Sequence, residues 1–303
     1  MTTNQKAKKV RKKLLSDFEF YAKNALRIRT KDGDTTPLSL NTAQQQLLQA
    51  VQKQYEEEGK IRVIILKARQ MGLSTFVGGW LYWWLSQRKA QRGLVVTHHA
   101  DSTRALFDMT RRYHENCPLP IKPQTKYSSR RELNFNVLDS SYVVATAGGE
   151  SVARGETITV AHLSELAFWS PSTADENFNA IMQAIPNKPN TAVFIESTAN
   201  GVSGKFYDLW KGACEGTNGF LPVFLPWYIQ EEYQEPCQQN VELSPDEKRL
   251  QKEHHLTDEQ LAFRRKKVAQ NGLDLFKQEY PSNADEAFLT SGRPIFNPEQ
   301  LVR

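Results

Sequence analysis

Between an apolar run at Ile61 to Leu66 and a helix-forming stretch from Ser74 to Leu85 lies Lys67-Ala68-Arg69-Gln70-Met71-Gly72-Leu73-Ser74-Thr75. A strand, a polar loop and a helix start in that order can cradle phosphate, because loop N–H groups and the helix N-terminus both present partial positive charge. Against the pattern G-x-x-x-x-G-K-[ST], the segment keeps Gly72 and Ser74 but has Lys67 at the first glycine and Leu73 where the lysine belongs. An ammonium at the start of the loop can still reach the β- and γ-phosphates from the other side, which makes Lys67 the candidate cation. Arg69 offers a second, with a fork suited to phosphate oxygens. Ser74 would supply a hydroxyl to Mg²⁺ and Thr75 a further phosphate contact, with the backbone of Gln70, Met71, Gly72 and Leu73 between them. Taken alone, the loop also reads as an ordinary polar turn entering a helix.

About 90 residues later, Thr157 to Leu163 is an apolar strand ending in Ser164-Glu165. A carboxylate at a strand end can accept a proton from, or orient, the water that attacks a γ-phosphate, and Glu165 is the candidate. The preceding position normally holds an aspartate that supports Mg²⁺; Ser164 stands there and can hold only a metal-bound water. Glu165 also suits a surface acid capping the next helix. A third apolar strand, Thr191 to Glu196, runs into Ser197-Thr198-Ala199-Asn200-Gly201. Hydroxyls and amides there can sense a γ-phosphate, although Asn200-Gly201 equally suits a plain turn, both residues tolerating positive φ.

The K-x-R-Q-M-G-x-S-T loop, the H-L-S-E-x-A-F-W segment at His162 to Trp169 and E-S-T-A-N-G at Glu196 to Gly201, in that order and spacing, resemble the terminase large subunit of tailed phages. The resemblance spans about Pro37 to Phe296, including Gln278-Glu279-Tyr280-Pro281 and Glu286-Ala287-Phe288. It implies a RecA-like α/β P-loop ATPase, with a mainly parallel central sheet flanked by helices and a small lid subdomain. It further implies ATP and Mg²⁺ as cofactors and coupling of hydrolysis to movement through Ser197, Thr198, Ala199 and Asn200. Leu40-Asn41-Thr42-Ala43-Gln44 resembles the adenine-reading segment, with Gln44 the pairing side chain, and also reads as a capped helix start. Ala153-Arg154-Gly155 resembles a segment whose arginine completes a neighbouring subunit's site, although Arg154 could equally form a structural ion pair. The implied partners are double-stranded DNA, the small terminase subunit, the portal protein and further copies in a ring, with a monomer possible in isolation.

Around these motifs the sequence alternates strand-like and helical stretches. Leu94 to His98 reads as a strand, Ser102 to His114 as a helix, and Leu133 to Val137 with Tyr142 to Ala147 as a hairpin turning at Asp139-Ser140. Beyond about Gly204, charged helical stretches dominate, notably one helix over Pro245 to Gln270, with a single apolar run at Phe220 to Trp227. The expected organisation is a basic segment over 1–36, the ATPase core over 37–204 and the remainder with its lid over 205–303. No second set of strand-borne carboxylates follows for the nuclease that the family carries. The expectation is therefore a chain without DNA-cutting activity, either part of a longer protein, which is preferred, or a motor by itself.

The 303 residues are 39% apolar and 24% charged, enough for one large core with a small satellite. Apolar runs are too short to span a bilayer, so the cytoplasm is expected; the resemblance implies that of the host cell, with transient residence at the procapsid portal. Cys117, Cys214 and Cys237 lack metal-ligand or disulfide-framework spacing. Residues 1–30 hold nine Lys or Arg against Asp17 and Glu19, giving either a polyanion-binding segment or a solvated helix or arm. Trp80, Tyr82, Trp83 and Trp84 are assigned to the core rather than to base stacking, and His98, His99 and Asp101 to a strand end and helix cap. Arg264-Arg265-Lys266-Lys267 is read as a solvated face that could also approach DNA. Two other functions fit weakened motifs: a superfamily-2-like helicase or remodeller, which would need a second motor domain, and a nucleotide-binding assembly module with little turnover.

Overall fold

The computed structural model describes residues 3–129, 131–148, 157–237 and 241–290. The chain begins with helices α1 (Thr3–Ser16) and α2 (Phe18–Ala25) and a two-stranded antiparallel ribbon, β1 (Arg27–Arg29) and β2 (Thr35–Pro37). There follow α3 (Thr42–Glu58), β3 (Ile61–Lys67), α4 (Leu73–Gln87), β4 (Arg92–Thr97) and α5 (Ala100–Glu115). Strands β5 (Thr125–Ser128), β6 (Glu132–Phe135), β7 (Ser140–Thr146) and β8 (Val160–Ser164) precede α6 (Ala174–Ala184) and β9 (Ala192–Ser197). The last part holds α7 (Lys205–Cys214), β10 (Leu221–Leu225), α8 (Pro245–His254), α9 (Asp258–Asn271), α10 (Leu273–Glu279) and α11 (Ala284–Thr290).

Eight strands form one sheet in the order β10-β3-β9-β8-β4-β7-β6-β5. Strand β4 pairs in parallel with β7 and β8, and β8 with β9, whereas β5, β6 and β7 form an antiparallel meander. Every residue of β3, β8 and β9 is buried, as parallel strands covered on both faces require. The expected α/β architecture with a mainly parallel sheet is therefore present. The 133–147 hairpin is also present, turning over residues 136–139 with Asp139 at positive φ.

By internal packing the chain divides into two compact units, Met1–Val63 with Gly72–Glu196, and Ile64–Met71 with Ser197–Arg303. The first is built around α4. Trp80, Tyr82, Trp83 and Trp84 are all buried, Trp80 stacks on Trp84 with centroids 5.0 Å apart, and it meets Phe194 of β9 at the same distance. Gly78 and Gly79, each costing a helix about 1 kcal/mol relative to alanine, permit close approach. A Cβ at Gly79 would lie 2.9 Å from Leu26 and one at Gly78 2.9 Å from Met109. The assignment of the aromatic run to the core holds.

Two expectations need correction here. The basic N-terminal segment is a solvated helix only over α1: Asp17 caps α2, whose Phe18, Tyr21, Ala22 and Ala25 are buried, and Phe18 packs edge-on against Phe76 at 5.2 Å. The Trp83 indole also donates to the Leu14 carbonyl at the end of α1. Pro245 to Gln270 is two helices, because His255 adopts a left-handed conformation and Thr257 with Gln260 forms a fresh capping box for α9.

The second unit is held by Trp227 and Phe263, stacked at 5.8 Å, and by Tyr233 stacked on Phe263 at 5.0 Å. Three of the four cations in the 264–267 run are tied down within it. Arg264 pairs with Asp246, Arg265 forks onto Glu247 and Lys266 reaches Glu235. Arg264 and Arg265 build the helical unit instead of forming the solvated face expected from their charge, whereas Lys266 stays half-exposed.

Candidate active site

In the first unit, β8 and β9 run in parallel with Ser164 opposite Glu196 and His162 opposite Phe194. Because side chains alternate along a strand, His162, Ser164, Phe194 and Glu196 share one face. The Trp80–Phe194 contact identifies that face as the one covered by α4. Ser74, in the first turn of α4, donates its hydroxyl hydrogen to Oε1 of Glu196 at 2.7 Å. Ser164 donates to the same oxygen at 2.8 Å, and His162 Nε2 lies 3.3 Å from it. Glu196 and His162 have no exposure at all. A buried carboxylate needs such partners, since an unsolvated anion otherwise costs several kcal/mol.

Glu165 follows directly, and its N–H donates to the Glu196 carbonyl at 2.7 Å, carrying the β8–β9 ladder one residue further. Its backbone then turns left-handed (φ 52°, ψ 47°) into a short 3₁₀ turn, Leu166–Phe168. The buried Trp169 fixes that turn by donating its indole N–H to the Ser164 carbonyl at 3.0 Å. A non-glycine residue in this conformation is strained by about 1 kcal/mol or more, a condition that concentrates at functional sites. Glu165 is half-buried.

Gly72 stands at the N-cap of α4 with φ 72°, and a Cβ there would meet Nε2 of Gln44 at 2.8 Å. That amide donates to the Gly72 carbonyl at 2.7 Å, while Gln44 Oε1 accepts the Asn41 N–H in the capping box of α3. Gln44, read from the resemblance as an adenine partner, thus braces the glycine of the loop and caps α3. The Leu73 side chain is in the core, leaving its backbone N–H to offer, and the Thr75 carbonyl accepts the buried Tyr113 hydroxyl at 3.1 Å.

The other half of the loop belongs to the second unit. Ala68 N–H donates to the Leu225 carbonyl at 3.1 Å and Arg69 N–H to the Glu279 carbonyl at 2.8 Å. The Arg69 guanidinium pairs with Glu279 at 2.9 Å, and the Tyr233 hydroxyl donates to the Arg69 carbonyl. Burial pushes the Tyr233 phenol up, with Lys67 and Arg69 pulling the other way as nearby cations. Lys67 and Met71 are buried, and Gln70 has positive φ. Ser197, Thr198 and Ala199 are buried and Asn200 exposed, with Gln278 of α10 donating to the Ala199 carbonyl at 3.2 Å. Arg154 lies outside the described residues.

Of the residues predicted from sequence, Ser74 starts α4, Ser164 ends β8 and Glu165 directly follows it, whereas Glu196 and His162 were not among those predicted. Glu196 was visible as the one carboxylate in an otherwise apolar strand, but its pairing with Ser164 depends on a register that only the sheet supplies. The three oxygen donors, two hydroxyls and a carboxylate, are hard ligands of the kind Mg²⁺ takes, so the site fits that ion. His99 caps α5, its Nδ1 accepting from the Asp101 N–H at 3.3 Å. Among the described residues, no group of three or more His, Cys, Asp or Glu side chains could hold a metal. No helix there is long and apolar enough to cross a membrane.

A mainly parallel sheet with a phosphate-loop-like turn entering α4 defines a RecA-like P-loop fold. Among solved structures, it is similar to the large terminase of bacteriophage HK97, at TM-score 0.62 and 15% identity over 87% of this chain and 53% of that one. It is also similar to the large terminase ATPase domain of Thermus phage P74-26, at TM-score 0.50 and 16% identity over 76% of this chain and 91% of that one. The chain therefore spans about half the length of the HK97 protein, and the fold is the one that the sequence resemblance implied. No family model matches the chain.

Proposed function

We propose that the chain is the ATP-hydrolysing motor portion of a large terminase, driving double-stranded DNA into a procapsid. The observation that carries this reading is the meeting of Ser74 and Ser164 on one buried carboxylate oxygen at the mouth of α4. In P-loop ATPases a loop hydroxyl and a strand-end acidic group jointly serve the metal of the nucleotide. The terminase fold supports the same reading.

Lys67 and the N–H groups from Gln70 to Thr75 hold the phosphates, with Arg69 as a second cation once it leaves Glu279. Ser74 would hold Mg²⁺, with Ser164 holding a metal-bound water, and the ion when bound would supply charge neutralisation at the phosphates. Glu165 orients the attacking water and takes its proton, and Ser197 to Asn200 relay the phosphate state. Gln44 contacts adenine with the amide hydrogen not given to Gly72, and Arg154 reaches a neighbouring copy in a ring. The lid lies within residues 205–303, and the small terminase subunit and portal protein complete the machine in the host cytoplasm.

Steady-state phosphate release by the full chain, with and without double-stranded DNA, tests this. Mg²⁺-dependent turnover that DNA stimulates is expected. Nucleotide binding with no turnover under either condition would replace the motor with an assembly module.

A further inference from the structure

Resting on the nucleotide reading above, we propose that Glu196 is a positioning residue for the nucleotide's metal. It would take over, from the neighbouring strand, the task that an aspartate at position 164 performs in standard P-loop ATPases.

The register carries the first part of the argument. Ser164 and Glu196 are direct partners in a parallel pair, so their Cα atoms lie about 4.8 Å apart with side chains on one face. Glutamate is one methylene longer than aspartate, and the extra reach brings Oε1 to 2.8 Å from Ser164 Oγ. The negative charge therefore sits beside the place that a residue-164 carboxylate would occupy. A serine at position 164 is small enough to leave room for it.

The second part is the bond to Ser74 at 2.7 Å. The loop hydroxyl and the strand-end acid are the two protein groups that conventionally serve the metal, and Glu196 touches both positions. A serine hydroxyl has one hydrogen to donate. By giving it to Glu196, Ser74 and Ser164 each keep their oxygen lone pairs for a hard cation or for its water, and the carboxylate sets the direction in which those lone pairs point. Groups that orient a metal's ligands in this way typically contribute 10- to 100-fold to metal affinity.

The third part is burial. Glu196 has no exposure and sits at the end of the apolar strand Ala192–Ser197. For packing alone, an isosteric apolar residue there would serve as well or better. His162, equally buried, steadies the same oxygen from two residues up β8.

The test is isothermal titration of a non-hydrolysable ATP analogue into the full chain across a MgCl₂ series, with thermal melts alongside. In the wild type, Mg²⁺ is expected to tighten binding. Glu196→Gln should lose about tenfold or more of that gain while keeping the affinity measured in EDTA. Adding Ser164→Asp to Glu196→Gln should restore most of it, since the carboxylate returns to its usual strand. A folded Glu196→Gln with the full Mg²⁺ gain overturns the proposal and leaves Glu196 as a structural tie between α4 and the sheet. Should that variant not fold, Glu196→Asp retains the charge on a shorter arm. It is expected to raise the half-maximal Mg²⁺ concentration several-fold, and an unchanged midpoint overturns the proposal equally. A wild type that binds no nucleotide at any Mg²⁺ concentration removes the nucleotide reading and this proposal together, a result visible before any variant is made.

Discussion

Glu196 in the first unit and Glu247 in the second are both buried carboxylates, satisfied in different ways. Glu247 lies 6% exposed in the first turn of α8. It accepts a two-pronged guanidinium from Arg265 at 2.5 and 3.0 Å and the Ser244 N–H of its own capping box at 2.9 Å. The Arg265 hydrogen bond is the main reason its carboxyl is lowered to about 2. Glu196 instead gathers two serine hydroxyls and an imidazole, from α4 and β8. The first arrangement neutralises a charge and pins two helices together. The second gathers two neutral hydroxyls and an imidazole on one carboxylate oxygen, the arrangement on which the proposed metal-positioning role rests.

If that contrast is correct, substitutions in the two units should separate chemistry from stability. The largest effect belongs to Glu165→Gln, which should lower turnover by about 10²- to 10⁴-fold, with analogue affinity and melting temperature close to wild type. Substantial phosphate release from this variant would move the base elsewhere and blur the distinction.

Glu247→Gln should do the reverse. Stability at neutral pH, measured by urea unfolding, is expected to fall by about 1–3 kcal/mol, the range for hydrogen bonds to charged groups, with analogue affinity unchanged. Because its folded value lies below the ordinary 4.5, Glu247 contributes stability that is complete above that pH and is lost as pH falls towards 2. Between pH 4.5 and 2 the wild type should therefore lose more stability than the variant. Equal losses would show that the Arg265 pair is not the tie it looks to be.

The smallest effect is expected for Lys266→Ala. Its pair with Glu235 is half-exposed, and such pairs contribute about 0.2–1 kcal/mol. A larger loss of stability would mark that part of α9 as more than a surface.

The local signals in the sequence carried most of the first unit. Largely apolar runs marked β3, β8 and β9, and the small polar residues after them marked the loops. What lay beyond reach was pairing across the chain: nothing in Phe194-Ile195-Glu196 says that its acid will stand beside Ser164 thirty-two residues earlier. The break at His255 was legible, since Thr257-Asp258-Glu259-Gln260 is a capping signature, but the continuous run of charge masked it. The short strand Thr125–Ser128 and the ribbon of β1 and β2 have too few residues for a two-residue period to stand out. The cations of α9 looked solvated because their partners, Glu235, Asp246 and Glu247, are distant in sequence.

The left-handed turn at Glu165 has a consequence for how this chain can change. Glycine or asparagine would occupy φ 52° with less strain, so selection for heat resistance alone would drift away from glutamate at 165. In the role proposed for Glu165, selection for ATP turnover would hold it. The position is thus a place where durability and output pull the sequence in opposite directions, and a library recovered under each pressure separately would diverge there first.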